Sequence, residues 1–426
     1  MTGPGVSRRA TLALAGAASA AALVGCTTND SARQQATSLP VTPPPLPAGI
    51  NAAGGLVGFV DVKEFGAVGD GTVDDTEAIQ KAIDACIGSG DPAKAARAAV
   101  RGLYLSPGQY RVTAPLRITS VQGFYLTGAG VQVTSLIPAG SKSLPALLDI
   151  NGCAEGWFGN FGVNAGGHQA ASDKVIFYHW DKATAARSST GCTFSNISIR
   201  EVKFDIGFAI GTENHLQVDG TNFYSCLVTG QFKAGSDAES WQYGFKFGNG
   251  VSGNNIDHSM FGSAASHCKT GLWFGGSNAW VFGGQPADNE VDVHIESPSV
   301  FTFQGLRSEG ARRFLSTAAG TAGALIAIRD LIFVCNELDD DGYWIDSSQA
   351  GSLTLENVGA TNVKSGNKAR IRATGRVQVV VTNVLQPTAI DEGLVAAGGA
   401  KFIVIAYNQS DSDNRIVAGA QLTTKG

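Results

Sequence analysis

Residues 65–86 read FGAVGDGTVDDTEAIQKAIDAC, a glycine- and aspartate-rich turn that runs directly into an amphipathic segment. Three readings compete for such a turn. A phosphate loop needs Lys and Ser or Thr after its last glycine, whereas Gly71 is followed by Thr72-Val73-Asp74, which places a carboxylate where phosphate would sit. A helix–loop–helix calcium site needs oxygen ligands at alternate positions and a closing Glu at the twelfth, a spacing that Asp70, Asp74 and Asp75 do not keep. A helix start fits every residue. Asp74 is the expected N-cap and Glu77, three residues on, its capping-box partner. Ile79, Ala82, Ile83, Cys86 and Ile87 then form one apolar stripe at helical spacing. The stretch is structural, and it covers the end of something.

What it covers follows from its surroundings. Val62-Lys63-Glu64-Phe65-Gly66-Ala67-Val68-Gly69-Asp70-Gly71, an Asp-Asp-Thr and then the helix resemble the entry segment of the pectate-lyase-like (rhamnogalacturonase/epimerase type) proteins. Leu103-Tyr104-Leu105-Ser106-Pro107-Gly108-Gln109-Tyr110 is similar to that family's strand and turn, and Leu126-Thr127-Gly128-Ala129-Gly130 to a later strand. The resemblance runs over about residues 60 to 165. It implies an all-β, right-handed parallel β-helix with an N-terminal capping helix. Hydrolases, lyases, epimerases and phage tailspikes share that fold, so it leaves the chemistry open.

The rest of the chain repeats as a solenoid would. Apolar strands are expected to begin near Ile197, Leu216, Ile256, Trp280, Phe301, Ile326, Leu353, Val377 and Phe402, with one long step after Leu216. Val291, Val293 and Ile295 alternate with Asp292, His294 and Glu296, so the first set is expected inside and the second outside. Phe204, Phe223, Phe261, Phe282 and Phe303 are expected as core stacks. Asn196, Asn222, Asn254, Asn255, Asn289, Asn357 and Asn383 suit the left-handed corners between strands.

Ahead of the solenoid, Ser7-Arg8-Arg9-Ala10-Thr11-Leu12 is a twin-arginine pattern, and the Ala-rich run to Val24 is too short to span a bilayer comfortably. Leu23-Val24-Gly25-Cys26 resembles a bacterial lipobox, which implies lipidation at Cys26, export and anchorage on the outer face of the cytoplasmic membrane. The expected division is residues 1–26 as signal, 27–50 as a Pro-rich linker, 51–410 as β-helix and 411–426 as a tail. The other six cysteines form no CxxC and sit at no metal-ligand spacing, so they read as buried thiols. A net charge of −5 without a basic block argues against nucleic acid. A trimer is compatible with the fold.

The chemistry is expected between Gly191 and Gly310, where twelve acidic residues face six basic ones. Carboxylates on adjacent coils would be close enough for glycoside hydrolysis, one as acid and one as nucleophile or base. Aligning the coils on Ile199, Val218 and Ile256 puts Asp257 level with Asp219 and Arg200. Aligning Trp280 with Phe301 puts Asp288 and Glu309 on one edge, with Arg307 beside them. Asp288 and Glu309 are therefore the expected catalytic pair, Asp257 a supporting residue, and Arg307, Trp241, Trp273 and Trp280 the expected polysaccharide contacts. His267 and His294 could assist. The polygalacturonase and pectate-lyase catalytic signatures are missing. The acidic surplus favours a hydrolase needing no cofactor over a lyase, which would have to recruit Ca²⁺; a non-catalytic glycan-binding solenoid is the alternative.

Overall fold

A computed structural model describes residues 58–423, apart from 96, 100, 141, 166–170, 214–217, 232–241, 251–255, 319–322, 336–337, 339–340, 349–350, 363–368, 389, 410–415 and 418–419. The described residues wind as a right-handed parallel β-helix whose strands fall into a 22-stranded and a 14-stranded sheet. A typical coil lends two short strands to the larger sheet and one to the smaller, which makes three faces. In one coil these are Asn222–Tyr224, Leu227–Thr229 and Tyr243–Gly248; in the next they are His258–Phe261, Ala264–Ser266 and Thr270–Gly275. Phe223 pairs with Met260, Leu227 with Ala264 and Phe245 with Leu272. The expected coil frame holds from Phe301 through Ile326 to Leu353; the strand read from Val377 is in register at Val379, which pairs with Phe402.

The bend between the first two faces needs one residue in the left-handed region, which Asn tolerates better than most side chains. Asn160, Asn196, Asn357 and Asn383 occupy it, with φ between 51° and 59°. Their amides form ladders along the coil axis: Asn196 donates to Asn160 at 3.0 Å, and Asn383 to Asn357 at 2.9 Å. Asn222 and Asn289 have no such backbone, and Asn254 and Asn255 lie outside the described residues, as does Leu216.

Inside, Phe158, Phe194 and Phe223 stack at 5.3 Å from ring to ring, and Phe208 lies 4.8 Å from Phe245. Phe204 and Phe303 are buried as expected. Phe261 and Phe282 are not. With Phe223 inward, its neighbour Tyr224 must point outward, and the register Tyr224–Phe261–Phe282 keeps the whole column outside. These three rings stack on the exterior at 5.0 and 5.4 Å. The same phase slip corrects Ile256, expected inward but 44% exposed. It pairs with Asp219, while Ile199 pairs with Val228, so the three residues do not share a column. Cys86, Cys153, Cys192, Cys226, Cys268 and Cys335 are free and buried.

Both ends are covered. The helix Thr76–Cys86 buries Ile79, Ala82, Ile83 and Cys86. Its N-cap is Asp75 rather than Asp74, and no capping box forms: Glu77 pairs with Lys81 instead, at 2.6 Å on the surface. The buried Asp75 carboxylate turns back to accept the N–H groups of Val68 and Gly69 at 2.6 and 3.1 Å, which ties the glycine turn to the helix. Asp74 accepts from the backbone and hydroxyl of Thr76 and from Thr113. At the far end, Ile416–Val417 and Ala420–Thr423 pair antiparallel with Tyr407–Gln409 and Lys401–Val404. Part of the segment read as a tail is therefore sheet. Among the described residues no helix is long and apolar enough to cross a membrane.

Candidate functional site

Alternation along the smaller sheet decides what its outer surface carries. Phe245, Leu272, Val293 and Leu315 are register partners and fill the interior. Lys246, Trp273, His294 and Ser316, one residue further on, are register partners too and form an outward column. Around this column lies a groove of 310 Å³, lined by Tyr243, Lys269, Thr270, Trp273, Glu290, Val291, His294, Glu296 and Ser316. Trp273 lies flat across Gly275, where a Cβ would come within 2.0 Å of the indole. Only glycine permits that approach.

Lys246 Nζ stands 4.5 Å from the ring centroid of Tyr243 and 4.6 Å from that of Trp273. The two rings meet edge-on, 6.1 Å apart. His294 Nε2 is 3.2 Å from Glu296 Oε1. Burial lowers the Lys246 ammonium, with Glu296 acting against that shift. Burial also lowers His294 below the ordinary imidazole value, again opposed by Glu296, and raises the Tyr243 phenol, to which Glu296 adds. At neutral pH the groove thus offers a neutral imidazole that accepts a proton and a phenol that gives one, and Lys246, not itself among the lining residues, stands against the rings of Tyr243 and Trp273 that are. Among the described residues no group of three or more His, Cys, Asp and Glu side chains could hold a metal ion.

Of the described residues expected at the site, Trp273 lines this groove, and so does His294, expected to assist. Trp280 is half-buried on the first face, in register with Ser259 and Thr302 rather than with Phe301. Trp241 lies outside the described residues. Asp288 and Glu309 do share one edge: Ala287 bridges to Glu309, and the Asp288 N–H donates to the Glu309 carbonyl at 2.8 Å. Arg307 reaches Glu309 at 3.4 Å and Gln285 donates to it at 2.9 Å, while His267 stands 3.7 Å from Asp288. Asp288 and His267 are left-handed corner residues, φ 53° and 52°, and all four charged side chains of the cluster are more than a third exposed. Asp257 is another left-handed corner, φ 62°, bound on both sides by the Asn278 amide at 2.7 and 3.0 Å. It is one residue past the Asp219 register, and Arg200 is not in its column. Asp292, expected outward, is buried. It accepts from Asn289 at 2.8 Å and from the Ser308 hydroxyl, and burial pushes its carboxyl up to about 7.

Tyr243, Lys246 and Glu296 were not singled out for chemistry in the sequence. Their signal is the common outward phase of Lys246, Trp273 and His294, visible only once the register across the long coil is known.

Comparison with known proteins places part of the chain. Alginate lyase 7 of Azotobacter vinelandii is 29% identical over 219 residues, which is 49% of this chain and 24% of that protein. Mannuronan C5-epimerase AlgE6 of the same organism is 42% identical over 95 residues, 21% of this chain and 10% of that protein. The chain therefore spans a quarter or less of these relatives' lengths. The solved A-module of that epimerase gives a TM-score of 0.42 at 18% identity, covering 80% of this chain and 98% of the module. The catalytic unit of a GH87 alpha-1,3-glucanase from Streptomyces thermodiastaticus gives 0.47 at 13% identity, covering 83% and 69%. Residues 59–145, the capping helix and first coils, match the family described as rhamnogalacturonase A/epimerase, pectate lyase-like.

Proposed function

We propose that this chain acts on a uronate-containing polysaccharide by removing the proton next to the sugar carboxylate, as a lyase or a C5-epimerase. The observation that carries this reading is Lys246, held between Tyr243 and Trp273 beside the His294–Glu296 pair. Abstracting that proton requires the neighbouring carboxylate to be neutralised first. Lys246 would do so. His294, neutral in the groove, would take the proton. Tyr243 would return one, to the leaving glycosidic oxygen as the C4–O bond breaks and the C4–C5 double bond forms, or to the opposite face of C5. The names of the two relatives, an alginate lyase and a mannuronan epimerase, support the substrate class.

Incubation with polymannuronate in deuterated water tests the proposal. Deuterium at C5, or an ultraviolet-absorbing unsaturated end, is the expected result; new reducing ends without either would mean hydrolysis. For hydrolysis the Asp288–Glu309 edge supplies the carboxylates, and its backbone proximity is the observation in its favour. A hundredfold loss of turnover in both Asp288→Asn and Glu309→Gln would move the chemistry there. Glycan bound but left intact would support a binding solenoid. We also propose that the chain works from a membrane surface through Cys26; fatty-acid labelling that survives Cys26→Ala would end that idea.

A further inference from the structure

We propose that the groove is blind at its N-terminal end, so that the chain acts on the last one or two sugars of a polyuronate and not in its interior; this rests on the polyuronate reading above. The lining begins at the coil of Tyr243 and runs toward Ser316. Followed the other way, the same two outward positions change character. Tyr243 is in register with Ile206 and then Lys174, and Lys246 with Ala209 and then Phe177.

An outward alanine on a bare sheet would be open to water, yet Ala209 is fully buried and Phe177 only 7% exposed. The two pack with Ala146 and Ile206 into a small apolar cluster of their own, apart from the core. This raised cluster is a wall across the column. The Phe177 ring stacks on His179 at 3.8 Å, and His179 is tied to Asp149 at 2.7 Å. Lys174 Nζ lies 4.7 Å from the centroid of the same ring and pairs with Glu213 at 2.6 Å, an ion pair laid across the cluster. Burial, opposed by Glu296, lowers the Lys246 ammonium, and the charge of Lys174 adds to the lowering. The ion pair therefore stands near the groove's end. From Lys246 to Ala209 is one coil, roughly 5 Å at the spacing of neighbouring strands, room for about one pyranose. A sugar whose carboxylate sits on Lys246 thus has at most one neighbour on that side. The rest of the polymer would extend past Ser316, where the column continues to the polar Asp346 and Arg372.

The test uses the full chain, deuterated water and a polymannuronate decamer labelled at its reducing end. Mass spectrometry of the first turnovers should place the deuterium, or the cut, within two sugars of one terminus. With long polymer, viscosity should hold steady while product accumulates. Phe177→Ala and Lys174→Ala each lower the wall, and one keeps the question answerable if the other melts early. Each is expected to raise the share of internal events about tenfold, with the rate at the terminus changed less than twofold. Internal events that dominate in the wild type, or folded variants that stay terminal, overturn the blind end and leave the polyuronate reading intact. A wild type that neither exchanges nor cleaves overturns that reading, and the blind end with it.

Discussion

Lys246 and Trp273 belong to successive coils, yet the ammonium of one sits 4.6 Å above the ring of the other. The ring stabilises the cation without neutralising it. Among the described residues Lys246 has no ion pair, so its charge stays available to a ligand carboxylate.

Lys246→Met keeps the side-chain volume and removes the charge. It should lower kcat/KM on polyuronate at least a hundredfold, while the melting temperature changes by no more than a few degrees. Steady-state kinetics beside a thermal melt would show both.

His294 is lowered by burial and raised back in part by Glu296. The acid limb of kcat/KM should therefore fall below the ordinary imidazole value of about 6.5. Glu296→Gln removes the carboxylate that favours imidazolium, so the limb should move to still lower pH. A limb that moves upward, or one that persists in His294→Gln, would assign the base elsewhere.

At the capping helix the two aspartates should separate by stability. Asp75→Ala strands the buried N–H groups of Val68 and Gly69 and should cost about 2 to 3 kcal/mol. Asp74→Ala should cost about 1 kcal/mol. Denaturant midpoints would rank them, and activity should follow neither.

Asp292 reads out in the pH dependence of stability. Its folded value of about 7 lies above the ordinary carboxyl value, so between about pH 4 and 7 the folded chain keeps a proton that the unfolded chain releases. Stability from this group is present below that window and is lost as pH rises through 7. Asp292→Asn cannot lose a proton there, so its melting temperature should fall less than the wild type's between pH 5 and 8. Buried His258 acts in the opposite sense: its imidazole is lowered to about 3, so it costs stability as pH falls below 6.5. The comparison is best made in both backgrounds.

The fold was legible because its signals are local. An amphipathic helix, period-two alternation and recurrent Asn need no knowledge of distant partners, and the coil frame from Phe301 to Leu353 emerged from spacing alone. The site was less legible because it depends on phase. An error of one residue at Ile256 reversed the assignment of Phe261, and period two makes any such slip turn a strand inside out. Asp257 and Asp288 drew notice as carboxylates, but Asp also tolerates the left-handed corner that both occupy. Asp292 followed the alternation on paper, but lies inside, where Asn289 and Ser308 receive it.

A parallel stack carries no instruction to stop: its last coil presents the same open N–H and C=O groups as every coil before it. On two of the three faces the reversed strands Ile416–Val417 and Ala420–Thr423 occupy those groups with the opposite polarity, and there an incoming parallel strand finds nothing to copy. The helix Thr76–Cys86 lies over the other end of the described coils, which are thereby shielded from serving as the seed of a fibre.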